Sequence, residues 1–371
     1  MTKVLRHIKN LTLFLTVALM SSCSMMTEDL PECETLVRVS FKYDYNIQRA
    51  DMFHDHVGMV RLFVIDADNG TVVRDLTVSN RDDNDAIKVN DNNRYFTVTL
   101  NDLPLGRNYR FMAVALQRPY DETMAHSEDK FVGTFPLPGE NADKLQMRLT
   151  RSDAADAQGR YPVTAPECGL DTLWMGHTTK PIAVPAERTS NIVICDTISM
   201  VRDTKYLSLT LRQIDNPAGI HDDDFYVEIT DNNGLLAWNN DVLADQKLLY
   251  RPHGQWTTEV LDQQGDVQQR AAHYDISFSR LMYFMGAEAA RNASLCIFRK
   301  ADGVKVVDIN LPGILAEGRN LYENYRYMPQ EYLDREYDYD LDFFLLSNEW
   351  QYLKIKVNVM AWVIRKQDIK F

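Results

Sequence analysis

From Leu36 onward, apolar and polar residues alternate in short runs, and few segments keep a helical period for long. Leu36-Val37-Arg38-Val39-Ser40-Phe41-Lys42-Tyr43 sets aliphatic and aromatic residues against polar ones at period two, which predicts a strand with one buried face. Ala50 to His56 reads as a short helical turn. Val60–Asp66 and Thr71–Val78 read as a hairpin, because Asn69-Gly70 supplies the positive φ that a tight connection needs. Arg94–Leu100, Tyr109–Ala115, Leu145–Leu149 and Thr189–Asp196 add strands. Between them lie a polar loop at Asp82–Asn93, a turn at Leu103–Gly106 and a turn-rich stretch at Asp153–Pro166. The first half therefore predicts a β-sandwich of about seven strands.

The pattern then starts again. Leu207-Ser208-Leu209-Thr210-Leu211-Arg212 repeats the alternation of Leu36–Phe41, and Phe225–Gly234 repeats the strand and Asn-Gly of Arg61–Gly70, at offsets of 171 and 164 residues. A duplicated domain with a boundary near Val201 explains both matches, and two unrelated β-domains with generic hairpin chemistry are the alternative. Further strands follow at Tyr274–Phe278, Ser294–Arg299 and Val304–Ile309, the last two joined by Asp302-Gly303. Leu311–Gly318 reads as one or two helical turns and Tyr332–Asp342 as an acidic, aromatic, solvated loop. Leu353–Ile364, with Trp362 near its end, reads as a closing strand able to pair with its own sheet or with another chain.

The N-terminus follows a different pattern. Lys3, Arg6 and Lys9 precede an apolar run from Leu11 to Met20, too short to span a bilayer, and Ser21-Ser22 supply the small residues of a signal-peptidase site. Cys23 directly after them resembles the bacterial lipobox, with Met20 where Leu is commoner. An ordinary secretory signal with an incidental cysteine is the alternative. The resemblance implies cleavage between Ser22 and Cys23 and lipidation of the Cys23 thiol. The expected organisation is a signal at 1–22, a polar tether at 23–34, and β-sandwiches at 35–200 and 201–371.

Loss of the leader takes the chain from 371 to 349 residues and its formal charge from −13 to −16. So acidic a body repels nucleic acid and anionic lipid, and neither is expected as a direct partner. Attachment to a membrane then rests on the acyl chains, each buried methylene contributing about 0.8 kcal/mol. Glu28, Asp29, Glu32 and Glu34 in the tether are similar to the export signal of Bacteroidales surface lipoproteins. Met25 and Met26 delay those acids, so a surface location is expected and a periplasmic face stays open.

Beyond Cys23 the cysteines are Cys33, Cys168, Cys195 and Cys296, candidates for disulfides of unassigned pairing. No CxxC, HExxH, GxSxG or phosphate-binding loop occurs, and neither a metal site, a cofactor nor an enzymatic activity is predicted. His54 and His56 read as solvated loop residues. Glu331, Asp334, Glu336, Asp338, Asp340 and Asp342 read as solvated acids, although a carboxylate pair for glycoside hydrolysis would draw on the same residue type. Trp174, Trp238, Trp256, Trp350 and Trp362 read as buried or half-buried sandwich aromatics, a sugar-stacking platform being the alternative. Asn292-Ala293-Ser294 matches the glycan acceptor pattern by chance.

Several segments, in order, resemble the FimB-like fimbrial anchor lipoproteins of Bacteroidales, which serve type V fimbriae. They are Cys33 with Leu36–Asn46, Ala50–Phe53, Val60–Gly70, Leu173-Trp174-Met175-Gly176, Asp224–Ile229 with Asn233-Gly234, Tyr250-Arg251-Pro252, Gln330–Glu336 and Ala361–Ile364. Met360-Ala361 stands where that family commonly has Asn-Gly. The resemblance implies an all-β chain of two tandem transthyretin-like β-sandwich domains, held at the outer membrane by lipid on Cys23. It also implies a non-enzymatic role: seating the base of a fimbria, limiting its length and meeting shaft subunits by β-strand contact. A surface glycan-binding lipoprotein is the alternative.

Overall fold

The structure, a computed structural model, describes residues 35–81, 96–126, 130–163, 169–187, 191–321, 326–346, 349–356 and 367–369. The first half carries strands β1 (Thr35–Lys42), β2 (Met59–Asp66), β3 (Val72–Ser79), β4 (Phe96–Leu100), β5 (Asn108–Leu116) and β6 (Phe131–Thr134). It continues with β7 (Gln146–Leu149), β8 (Tyr161–Pro162), β9 (Leu173–His177), β10 (Ile182–Ala183), β11 (Ile192–Ser199) and β12 (Val201–Arg202). The second half carries β13 (Lys205–Gln213), β14 (Phe225–Asp231), β15 (Leu235–Ala237), β16 (Leu248–Tyr250), β17 (Gly254–Leu261) and β18 (Val267–Phe278). After these come β19 (Ser294–Arg299), β20 (Lys305–Asn310), β21 (Asp338–Leu346), β22 (Glu349–Lys356) and β23 (Gln367–Ile369). The α-helices are short: α1 (Phe53–His56), α2 (Tyr120–His126), α3 (Leu311–Ala316) and α4 (Pro329–Arg335).

β1 shows how alternation sets the layers. Val37, Val39 and Phe41 point inward and are buried, while Arg38 faces solvent. Its sheet, β11-β1-β4, lies over one face of a larger sheet, β12-β9-β5-β2-β3. The larger sheet is buried on both faces, so its central strands lose the polar alternation: in β2, Val60, Leu62 and Val64 enter one core and Met59, Phe63 and Ile65 the other. The second core runs on through the small sheet β15-β7-β6 into the second half, where β17-β18-β13-β21-β22-β23 packs against β20-β19-β14-β16-β8.

The halves share a topology. β1 pairs parallel with the late strand β11 and antiparallel with β4; β13 pairs parallel with the late strand β21 and antiparallel with β18. β2 lies between β5 and β3, as β14 lies between β19 and β16. The two Asn-Gly pairs act differently. Gly70 takes φ 73° in a tight turn. Asn233 is instead buried, its amide donating to Ser279 O (2.9 Å) and Arg280 O (3.1 Å) and accepting from Tyr250 Oη (2.6 Å), and the chain passes on into β15.

β15 pairs with β7, and β16 runs parallel with β8, so the halves exchange backbone hydrogen bonds. Most expected strands form within two or three residues of their predicted limits. The Asp82–Asn93 loop and Trp362 lie outside the described residues, and the closing strand is β22 followed by β23. Two expectations need correcting. Tyr332–Asp342 is the end of α4 and the start of β21, not a loop, because Tyr339, Leu341, Phe343 and Leu345 alternate inward between the acids. His54 and His56 are half-buried on α1 rather than solvated, and the His56 ring sits edge-on to Tyr43 at 6.1 Å.

The layers of the first half approach closely at Gly176 on β9, where a Cβ would lie 2.7 Å from Ile198 Cγ2 and 2.9 Å from Ser199 O. Gly176→Ala should therefore destabilise the fold by about 1–3 kcal/mol in urea unfolding, whereas substitution at open Gly265 should cost less of its effect through packing.

Candidate functional site

The polypeptide crosses from the first half to the second at Arg202-Asp203-Thr204-Lys205, and all four residues are buried. Charged residues lose hydration there and must be paired from both sides. Lys205 Nζ donates to the carbonyls of Asp334 (3.0 Å) and Glu336 (2.7 Å), where α4 gives way to β21. Arg280 clasps the Asp334 carboxylate with two bonds, Nε to Oδ1 at 2.7 Å and Nη2 to Oδ2 at 2.8 Å, and also reaches Asn240 O. Asn240 Nδ2 in turn donates to Asp203 Oδ1 (2.9 Å). The Arg202 guanidinium lies 4.0 Å from the Tyr337 ring centroid and 5.7 Å from that of Trp174, joining the two halves by cation–π contact.

Burial governs the charges. It pushes the Asp203 carboxyl up, against the opposing fields of Arg280 and Lys205, and pulls the Lys205 ammonium down, against those of Asp334 and Asp203. It also pushes Glu336 up to about 7, although the carboxylate accepts from the Tyr337 and Asp338 amides. Three further ion pairs cross between the halves among the described residues: buried Arg151 with Asp245 at 2.7 Å, Arg148 with the same carboxylate at 3.2 Å, and Arg160 with Glu228 at 2.8 Å. This arrangement binds one half of the chain to the other and holds acids in fixed pairs. The solvated-acid reading fails for Asp334, Glu336 and Asp342, which are buried.

The other predicted residues are dispersed. Ser22, Cys23, Cys33 and Cys168 lie outside the described residues. Cys195 is exposed on β11 and Cys296 half-buried on β19, both free thiols. Among the described residues no group of three His, Cys, Asp or Glu side chains converges on a metal position. Trp174 is buried, Trp238 donates to Asp143 (2.8 Å), Trp350 packs edge-on to Phe343, and Trp256 alone of these four is exposed. With only Trp256 exposed, these four form no solvent-facing aromatic platform. An open cleft of about 370 Å³ on the central sheet, with Arg61, Phe135 and Tyr120 among its lining residues, escaped sequence reasoning because its residues are scattered from 59 to 135.

The chain belongs to the Fimbrillin-A associated anchor proteins Mfa1 and Mfa2, whose sequence profile matches residues 30–368. Membership places it among fimbria-associated anchor proteins. A Bacteroides thetaiotaomicron protein provisionally described as an adhesin is 26% identical, with TM-score 0.67 over 88% of this chain and 97% of its own. Another from the same organism, provisionally described as polysaccharide-binding, is 28% identical, with TM-score 0.64 over 87% of this chain and 96% of its own. The fimbrial anchor protein Mfa2 from Porphyromonas gingivalis shares the fold at 13% identity, with TM-score 0.58 over 90% of this chain and all of its own. No curated protein matches this chain by sequence.

Two outcomes test the junction. Arg280→Ala strands the buried Asp334 carboxylate and should cost about 3–5 kcal/mol in urea unfolding. A carboxyl with a raised folded value holds its proton longer in the folded chain, so Glu336 makes stability fall as pH rises from 4.5 to about 7. Glu336→Gln should flatten that decline and raise stability above pH 7 by up to about 3 kcal/mol, read from melts across the pH range.

Proposed function

We propose that this chain is the lipid-anchored base subunit of a fimbria. The match to the anchor family over residues 30–368, starting seven residues beyond Cys23, carries the reading. In it, Cys23 becomes the first residue of the mature chain and its acyl groups enter the outer membrane, most simply on the outer face. Two or more chains on one cysteine hold where a single chain would not. The body forms two tandem transthyretin-like sandwiches, 35–200 and 201–371, and a shaft subunit joins it by β-strand contact.

The physics of the body supports this assignment. A filament pulls on its base, and a base whose two domains share strands and buried ion pairs passes that load to the lipid without hinging. A subunit held to the membrane at one end leaves the filament a single growing end, which is how an anchor limits length. The role asks for surfaces and bracing and leaves no reaction to be performed.

Cys23→Ala tests the anchor. Cells carrying the variant at unchanged expression should release shaft protein into the medium, whereas wild-type cells retain it in the pellet. Retention of shaft protein while the variant itself leaves the membrane would overturn the reading.

A further inference from the structure

β17 forms one edge of its six-stranded sheet, and among the described residues its only strand partner is β18. It carries an unusual load of exposed apolar surface for an edge: Trp256 is 43% exposed, Val260 59% and Leu261 55%. Trp256 is held in place from within the sheet by stacking on His273, with centroids 5.1 Å apart and planes 15° apart. Natural edges are protected by charge, proline or cover, so a long apolar edge marks a pairing site. Register identifies the available backbone. Glu259 lies opposite Arg270, whose N–H is already given to Pro217 O (2.8 Å) on the β13 side. The pair is therefore not hydrogen-bonded, and the Glu259 N–H and C=O point away from β18.

Charge selects the occupant. Glu259, Asp262 and Asp266 surround the outer end of the hairpin and Asp222, Asp223 and Asp224 lie beside its inner face, against Arg270 and Lys300. A second copy would bring like charges together across the new seam.

We propose that the β17 edge receives an extended strand from a fimbrial shaft subunit, one that alternates apolar residues with lysine or arginine. The apolar positions cover Trp256 and Val260, the cations meet the acids of the hairpin end, and the Glu259 backbone joins the new ladder. This inference rests on the anchor reading and adds the place of contact.

The test uses cells making the full, lipidated chain with a benzophenone amino acid in place of Val260, or in place of exposed Tyr226 on β14 as a control. After illumination, antibody to the shaft subunit should detect an adduct from position 260 and none from 226. Glu259→Pro removes the outward N–H and should lower the adduct at least about tenfold. Glu259→Lys, which keeps the backbone and reverses the charge, should lower it too and decides the matter if the proline variant does not accumulate. Absence of a shaft adduct at 260 in cells where Cys23→Ala sheds the shaft would overturn the β17 site and leave the anchor reading standing. An adduct of two copies of this chain would also overturn it. No adduct together with no shedding would remove both.

Discussion

The clasp of Arg280 on Asp334, with Lys205 bonded to the carbonyls behind it, is the constraint on which the joining of the two halves depends. Buried ion pairs add little net stability over an apolar packing of the same shape, yet removing one partner is costly because the other is left charged and dry. Such a cluster therefore specifies arrangement more than it stabilises. Here the arrangement it specifies is the angle at which the second half leaves the first, since Asp203 and Lys205 are the covalent connection itself.

Backbone pairing reinforces the same geometry. β15 leaves the second half to complete the small sheet of the first, and β8 leaves the first to extend a sheet of the second. The outer face of the first half's central sheet consequently belongs to the same core as the second half. Domains joined by a single exposed linker would bend there under load. Exchange of strands and a buried connection remove that freedom, which suits the tension-bearing role proposed for this chain.

Much of the strand order was legible in the sequence, because period-two alternation is a local signal. β1, β13, β14 and β19 follow it closely. β21 was missed because Asp338, Asp340 and Asp342 occupy one face of an otherwise apolar strand and made the segment look solvated. β17 was missed because Gln255, Trp256, Thr257 and Thr258 do not alternate in polarity, as an edge strand open to solvent need not. The repeated Asn-Gly was visible, but the use of Asn233 as a buried bond donor is a tertiary fact with no local signature. The junction was the least legible part: Lys205, Asn240, Arg280 and Asp334 are far apart in the chain, and charges so dispersed read as surface until packing brings them together.

The central claim is that the two halves behave as one mechanical and cooperative unit. Native-state hydrogen exchange under increasing urea tests it directly, by comparing amides of β1 and β2 with those of β13 and β18. The account predicts that both sets open with the same free energy and the same urea dependence. Opening of one set at markedly lower urea, with the other still protected, would show independent domains and contradict the account.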